Sequence, residues 1–239
     1  MTKQESINTA YNTLCSSYSS ISLSRNAYCS SIDKLVLNYA GGTEYLDIGS
    51  ATGARLDNLR KSLNLPYVYS IEPSLDMYDK LRSYSNIRPY HLSAQQYVPE
   101  FDQKFDCVTA LWNVFGHIPS ESLLHQSLTN IRKYMKPHSV LLFDVNNRHN
   151  YSSYGVKALF RSTLDYFDFR RERGDTTIFL SQNNQKIPLY GHLFAISEVK
   201  TMLSQSGFSI KNIHYVNYNT GRVCSSRFLG QIFVCASPC

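Results

Sequence analysis

The chain has 239 residues, of which 43% are hydrophobic and 18% charged, and its formal net charge is +6. This length suits one large domain with a buried core and is too short for two comfortable independent ones. No apolar run approaches the roughly 18 residues of a membrane span, so we expect no membrane partner. The positive charge is spread along the chain, which disfavours a dedicated nucleic-acid partner and mildly favours an anionic ligand.

The N-terminal segment is polar and lacks the apolar centre of a secretory signal. The six cysteines are scattered without a C-x-x-C pair. In a chain of this length such a distribution favours reduced, mostly buried thiols over a disulfide framework or a zinc site. These features predict a cytoplasmic protein.

Residues 1–40 predict two polar helices around a serine-rich joint, which would form a leading lid and not a separate domain. Beyond them the predicted strands are 44–48, 67–71, 87–91, 105–111 and 139–145, and the predicted helices are 54–63, 74–83 and 120–134. Short apolar runs separated by helices are typical of a parallel sheet that is covered on both faces.

The segment from about Thr163 to Leu193 breaks this rhythm with period-two patterns, which predict an inserted antiparallel meander. A helix that ends at Gly207 follows, and then strands at 208–216 and 229–236. We expect a single domain with a lid at 1–40, a core at 41–147, an inserted cap at 148–193 and a completing segment at 194–239. The edge strands of the insert leave a homodimer open as an alternative.

The stretch EYLDIGSATG, residues 44–53, runs from the first predicted strand into a glycine turn. Ligands of α/β sheets bind outside the carboxyl ends of the strands, where Gly49 and Gly53 would make a tight turn and relieve crowding. The second strand ends in Glu72, 25 residues after Asp47, where an acid that binds a ribose diol is expected. The two features in register predict a ligand at this edge of the sheet.

These residues resemble the class I S-adenosylmethionine-dependent methyltransferase family, whose first motif is apolar-apolar-Asp-apolar-Gly-x-Gly-x-Gly. LDIGSATG matches that motif at Asp47, Gly49 and Gly53 and departs from it at Ala51, where glycine is usual. The similarity continues through SAQQY, FDCVTALWNVFGHIP and LTNIRKYMKPHSVLLFDVNN. It implies a Rossmann-like, seven-stranded, mostly parallel sheet with helices on both faces, an N-terminal helical lid and an inserted antiparallel meander.

The resemblance also implies S-adenosyl-L-methionine as the cofactor. Asp47 would hold its amino group, Glu72 its ribose hydroxyls, and Ser93 with Ala94 its adenine edge. The implied cofactor-binding residues are Tyr11, Tyr18, Asp47, Gly49, Ser50, Gly53, Glu72, Pro73, Met77, Ser93, Ala94, Gln95, Leu111, Trp112 and Asn113. Leu75 is an alternative to Met77 for packing on the adenine ring.

His117, in the loop after the fourth strand, is the first candidate for a general base because imidazole titrates near neutral pH. A capping or packing histidine before Pro119 is an equal alternative. Tyr18 and His192 are the further catalytic candidates.

The acceptor would lie between the lid, the 113–118 loop and the insert, which carries Tyr154, Tyr166 and Tyr190. The arginines that could bind an acceptor carboxylate or phosphate are Arg148, Arg161, Arg170 and Arg171.

The sequence therefore predicts methyl transfer to a nitrogen, and less readily to an oxygen, of a small-molecule acceptor. A methyltransferase of RNA or protein, or a catalytically inactive partner subunit with this fold, are the alternatives. A nicotinamide site fits less well because GSATGA lacks the G-x-G-x-x-G spacing and Asp47 would repel a pyrophosphate. We expect no metal, because the loop at Trp112 and Asn113 has no acid to complete a hard-cation site.

Overall fold

The computed structural model describes residues 2–182 and 185–239, with the side chain of Ser181 left out. The helices are α1 (Lys3–Leu14), α2 (Tyr18–Leu23), α3 (Asn26–Tyr39), α4 (Ala54–Ser62), α5 (Leu75–Leu81), α6 (Glu121–Tyr134), α7 (Tyr151–Tyr154), α8 (Val156–Phe167) and α9 (Ile196–Gln205). The strands are β1 (Tyr45–Ile48), β2 (Val68–Ile71), β3 (Ile87–Tyr90), β4 (Phe105–Ala110), β5 (Met135–Val145), β6 (Asp175–Gln182), β7 (Gln185–His192), β8 (Phe208–Val216), β9 (Val223–Cys224) and β10 (Gln231–Pro238).

The central sheet has the strand order β3-β2-β1-β4-β5-β10-β8-β9. Strands β1 to β5 are parallel, and β10 runs antiparallel to both of its neighbours. This arrangement confirms the predicted fold class. Because β2 and β4 lie on either side of β1, the order reverses there, and the carboxyl end of β1 is the switch point where a ligand crevice is expected.

Both faces of the sheet are buried by helices. One hydrophobic cluster joins Leu46 and Ile48 of β1 to residues of α6 and α9, such as Leu128 and Val199. The other joins Tyr45 of β1 to residues of α3 and α4. Alternate residues of one strand thus enter opposite halves of the core, which explains why the parallel strands read as continuous apolar runs.

The strand count differs from the expected seven, because the two-residue β9 pairs with β8 at the edge of the sheet. Two residues are too few to show an alternating pattern, so this strand could not be predicted from the sequence. Strand β5 also begins earlier than predicted, at Met135, which pairs with Phe105 of β4.

The insert departs from the predicted meander in its first part. Residues Val156–Phe167 form α8, and only β6 and β7 form an antiparallel hairpin, from the pair Asp175 and His192 to the pair Gln182 and Gln185. The apolar residues of α8 recur at helical spacing, which outweighs the short alternation in YFDF. Asn183 and Asn184, which fall within the predicted meander, lie outside the described residues.

The N-terminal segment forms three helices, where two were predicted. Ile7 and Ala10 of α1 are buried against Leu189 of β7. The side-chain amide of Gln182 also donates to the Ser16 hydroxyl at 2.9 Å. Helix α1 and the hairpin therefore pack against each other. No helix among the described residues is long and apolar enough to cross a membrane.

Arg148, which is fully buried just after β5, ties the insert to the core. Its guanidinium lies 3.2 Å from the Asp165 carboxylate of α8 and 3.4 Å from the Glu198 carboxylate of α9. It also donates to the backbone carbonyl of Arg170 at 3.1 Å. One buried cation therefore joins three segments that are distant in the sequence.

Replacing this cation, in Arg148→Met, should lower the free energy of unfolding by about 3 kcal/mol, because two buried carboxylates lose part of their compensation. Urea denaturation followed by circular dichroism measures the change. The control Arg82→Met removes an arginine that is 64% exposed and 3.9 Å from Asp79, and should cost about 0.5 kcal/mol or less. Equal losses in both variants would contradict the assigned role.

Candidate functional site

Three neighbouring cavities open at the carboxyl edge of the sheet. The central cavity, of about 80 Å³, is lined by Tyr11, Tyr18, Gly49, Ala51, Glu72, Pro73, Ser93, Ala94, Gln95, Leu111, Trp112 and His117, among others. The Asp47 cavity, of about 300 Å³, has Asp47, Ser50 and Arg55 in its wall and shares Tyr18, Gly49, Ala51, Leu111 and Trp112 with the central cavity. Most of the predicted cofactor-binding residues therefore meet in two adjoining cavities.

The turn after β1 has three residues in the left-handed region: Gly49 at φ +73°, Ala51 at φ +49° and Gly53 at φ +83°. A Cβ atom on Gly49 would lie 2.8 Å from a methyl group of Val114, so glycine is required at this wall of the cavity. Ala51 adopts its positive φ at a cost of about 1–2 kcal/mol. This cost explains why the methyltransferase motif usually has glycine at the position of Ala51.

Gly53 is the N-cap of α4 and does not line the cavities. A Cβ atom there would lie 2.7 Å from Leu81. Gly53 therefore lets the start of α4 pack closely, in agreement with the expected relief of crowding.

Asp47, on β1, is buried, and one of its carboxylate oxygens accepts a hydrogen bond from the Thr109 hydroxyl of β4. Burial raises the pKa of this carboxyl from 3.8 to about 6, while the hydroxyl donors Thr109 and Ser50 oppose the shift. The group therefore lies in a low-dielectric wall where a cationic ligand would stabilise its charge. The sequence analysis missed Thr109, whose place opposite Asp47 depends on the pairing of β1 with β4.

Glu72, just after β2, is buried and accepts two backbone hydrogen bonds, from Ala51 N–H at 2.8 Å and from Ser74 N–H at 2.9 Å. Burial raises its pKa from 4.5 to about 7, the two N–H donors oppose this, and the charge of Asp47 adds to it. Each carboxylate oxygen keeps a second lone pair, so Glu72 can still accept from ligand hydroxyls. The same side chain holds the turn after β1 in place.

Arg55, in the first turn of α4, is a second residue that the sequence did not single out. Its guanidinium lies 2.7 Å from the Asp33 carboxylate of α3, and the side chain reaches the wall of the Asp47 cavity. A cation and a carboxylate in one cavity suit a ligand that carries both charges. In the sequence Arg55 resembles any solvated helix cation, and only the packing of α3 on α4 turns it inward.

The loop after β4 is backbone-strained. Trp112 and Asn113 are consecutive non-glycine residues with φ of +67° and +63°. The Asp144 carboxylate accepts from Trp112 N–H at 2.6 Å and from the Tyr28 hydroxyl at 2.8 Å, and so holds this conformation. Strain of this kind is typical of functional loops. In this loop conformation Trp112 lies in the wall of all three cavities.

The third opening, the hairpin cavity, has about 470 Å³ and lies between the loop after β4, the hairpin and α8. Its wall includes Thr176, Ile178 and Leu189 of the hairpin. It shares four residues with the central cavity: Tyr11, Tyr18, Trp112 and His117. These four side chains mark the place where ligands in the two cavities would meet.

His117 lies at this junction with a defined orientation. Its Nδ1 is 2.8 Å from the backbone carbonyl of Tyr190, and because a carbonyl only accepts, Nδ1 carries the proton and Nε2 keeps a lone pair. The Tyr11 ring meets the imidazole edge-on at 5.7 Å between centroids. Burial lowers the pKa of His117 below 6.5, so the imidazole is neutral at physiological pH.

Tyr18 lies in the wall of all three cavities, and burial raises its pKa well above 10. Its phenol therefore stays protonated, which suits a hydrogen-bond donor and not a base.

The structure places the remaining candidates elsewhere. His192 is fully buried and lines none of the three cavities, because its ring nitrogens lie 2.7 Å from Asp175 and 2.9 Å from Glu198. Met77 is buried against Cys15 and Ala51 beside the central cavity and is absent from its lining, and Leu75 is exposed. Asn113 lines the hairpin cavity and braces the loop through a bond to Asn146 N–H at 2.9 Å.

Among the insert tyrosines, Tyr154 lines the hairpin cavity, Tyr190 donates to Asp175 at 2.7 Å, and Tyr166 is 84% exposed. No group of three or more His, Cys, Asp or Glu side chains in the described part of the chain is arranged to hold a metal ion.

Known proteins share this architecture. The sequence model described as "Methyltransferase domain" matches residues 22–213. A methyltransferase in complex with the Trm112 methyltransferase activator from Haloferax volcanii superposes with a TM-score of 0.69 at 11% identity, over 97% of each chain. The DhpI-SAM-HEP complex gives 0.67 at 16% identity, over 98% of this chain and 97% of the other.

An S-adenosylmethionine-dependent methyltransferase from Clostridium acetobutylicum superposes with a TM-score of 0.63 at 13% identity, over 90% of this chain and 92% of the other. No curated protein matches the chain by sequence. At these identities the structures show a shared fold, and the family match covers most of the sequence.

The family match over residues 22–213, together with the shared sheet topology, identifies an S-adenosylmethionine-dependent methyltransferase. The chain belongs to the methyltransferase-domain family, and S-adenosyl-L-methionine is its cofactor.

Neutralising the buried acid of β1, in Asp47→Asn, should stabilise the ligand-free protein by about 1–3 kcal/mol near pH 7.5. The folded-state pKa is raised from 3.8 to about 6, so the folded protein loses stability as the pH rises through this window. The asparagine carbonyl still accepts from Thr109. Urea denaturation near pH 7.5 and near pH 4 measures the effect, which should fade at the lower pH. A variant less stable than wild type near pH 7.5 would contradict the argument.

Proposed function

We propose that this enzyme transfers a methyl group to a nitrogen of a small-molecule acceptor held in the hairpin cavity. The observation that carries the proposal is the junction of the two cavities at Tyr11, Tyr18, Trp112 and His117. A cofactor in one cavity and an acceptor in the other would face each other across these side chains. An oxygen acceptor is the second choice.

The chain's polar groups fit the cofactor at each end. Asp47 would bind the ammonium and Arg55 the carboxylate of the amino-acid part, because both line the Asp47 cavity. Glu72 would accept from the ribose hydroxyls, and the segment Ser93–Gln95 would line the adenine. Bound S-adenosylmethionine supplies an electrophilic methyl group on a sulfonium centre. No Lys or Arg is found among the described residues that line the central cavity, so its wall adds no like charge there.

The protein's own contribution to the reaction is mainly alignment and the exclusion of water. Helix α1 supplies Gln4, Ile7, Asn8 and Tyr11 to the wall of the central cavity, which at about 80 Å³ is too narrow for an adenosine group. We propose that residues 1–40 and the cap at 148–193 cover the site, and that α1 moves outward when the cofactor binds or leaves.

His117 supports nitrogen as the acceptor atom. A buried imidazole with a lowered pKa is a weak base, which suffices to accept the proton that an amine nitrogen releases once it has formed its bond to the methyl group, but is poorly matched to deprotonating an alcohol. With Nδ1 held by the carbonyl of Tyr190, Nε2 is the atom that would take the proton.

Cofactor binding tests the placement. Isothermal titration of S-adenosylmethionine and S-adenosylhomocysteine should show a dissociation constant at least about tenfold higher for Asp47→Ala and for Glu72→Ala, because each removes a buried charge-assisted hydrogen bond. The variant Asp79→Ala removes a carboxylate that is 57% exposed on α5, and should bind as wild type does. Unchanged binding in both site variants would overturn the assignment.

His117→Ala should lower turnover by about 100-fold or more while cofactor affinity stays the same, because the residue acts on the acceptor's proton. Acceptors are found by incubating amines, amino acids and phenols with the enzyme and cofactor, and detecting a gain of one methyl group by mass spectrometry. The wild-type rate should fall as the pH drops through the lowered pKa of His117, below 6.5. His138→Ala, at an exposed position early in β5, is the matched control. Equal turnover in the two variants would make His117 a packing residue.

A further inference from the structure

We propose that the methyl acceptor carries an anionic group, a carboxylate or a phosphate-type group, and that Arg25 and Arg161 bind it in the hairpin cavity. This inference rests on the proposed function, because it specifies the substrate of the same site. Arg25 lies between α2 and α3, and Arg161 lies on α8. The N-terminal segment and the insert thus each supply one cation.

The charges around the hairpin cavity have one sign. Arg25 and Arg161 are the only Lys or Arg side chains among its described lining residues, and no Asp or Glu lines it in the described chain. The rest of the wall is neutral, with amide donors and acceptors from Asn146 and Gln231. A cavity that holds cations without carboxylates favours a ligand that brings the missing negative charge.

Neither arginine forms an ion pair with an acid of the described residues, and each is placed next to a tyrosine. The Arg25 guanidinium lies 4.6 Å from the centroid of the Tyr218 ring and donates to the Asn219 side chain at 3.2 Å. The Arg161 guanidinium lies 6.0 Å from the Tyr154 ring. Contacts with ring faces orient a guanidinium while leaving its N–H groups free for a carboxylate or a phosphate.

The other arginines of the insert are already occupied. Arg148 is paired with Asp165 and Glu198, Arg170 with Asp168 at 2.8 Å, and Arg171 with Glu198 at 3.1 Å. Of the four arginines that the sequence offers as acceptor ligands, the structure thus leaves Arg161 facing the hairpin cavity, and it adds Arg25.

The position of the two cations also orients the acceptor. Arg25 and Arg161 line the hairpin cavity and are absent from the lining of the central cavity, whereas His117 and Trp112 line both. An acceptor held by its anionic end near the arginines would direct its other end toward the shared wall. Arg25 and Arg161 therefore lie outside the cavity in which the sulfonium would lie, so their positive charges would not repel the positive sulfonium at close range.

The test uses the full chain saturated with S-adenosylhomocysteine and titrated with benzoate, phenylphosphonate and the neutral analogue benzamide at constant ionic strength. Isothermal titration should show that the two anions bind at least about tenfold more tightly than benzamide. Arg25→Gln and Arg161→Gln should each weaken anion binding about tenfold, and Arg161→Lys should restore part of it because the charge remains. Arg82→Gln, a change at an exposed arginine, should bind as wild type does.

Equal binding of benzamide and the anions, undetectable anion binding, or unchanged binding in both glutamine variants would overturn the inference. Binding of S-adenosylhomocysteine, measured first in every variant, separates this failure from failure of the proposed function. If the wild type binds S-adenosylhomocysteine but the anions behave as benzamide does, only the assigned acceptor class is wrong. If S-adenosylhomocysteine itself does not bind, the assignment of the cofactor cavities fails.

Discussion

Two buried carboxylates determine how the site is built. Asp47 and Glu72 lie in a low-dielectric wall, where burial raises the pKa of the Asp47 carboxyl to about 6 and that of the Glu72 carboxyl to about 7. Glu72 also connects the ends of β1 and β2 through its bonds to the backbone of Ala51 and Ser74. Burial of these two acids lowers the stability of the ligand-free protein. A ligand with an ammonium group and hydroxyl donors would stabilise the two carboxylates and so stabilise the folded state.

Around these acids, the elements outside the central sheet form the walls of the cavities. Helix α1 packs on β7, the hairpin faces the loop after β4, and Arg148 ties α8 and α9 to the end of β5. His192, bonded to Asp175 and Glu198, belongs to the same buried polar cluster. Its role is to fix the base of the hairpin, whose Tyr190 carbonyl in turn orients His117. Asp175 and Glu198, which lie away from the junction of the cavities, therefore help to determine the orientation of His117 at that junction.

The backbone is also strained at the same edge of the sheet. Ala51, Trp112 and Asn113 are non-glycine residues with positive φ, and all three line a cavity. Buried hydrogen bonds from Glu72 and Asp144 to the backbone hold these conformations. Two further described non-glycine residues with positive φ, Asn64 and Gln103, line none of the three cavities, so part of the unfavourable backbone, and not all of it, lies where a ligand is expected to approach closely.

The sequence by itself determined the parallel core, its order of elements and the two acids, because hydrophobic periodicity and the spacing from Asp47 to Glu72 are local properties of the chain. It could not place Thr109, Arg25 or Arg55, since each depends on contacts between elements far apart in sequence. For the same reason the sequence ranked His117 above His192 but could not show that His117 lines two cavities and that His192 is enclosed by carboxylates. Only tertiary packing decides which polar side chains face a ligand, because the free energy of burying them depends on the partners they meet.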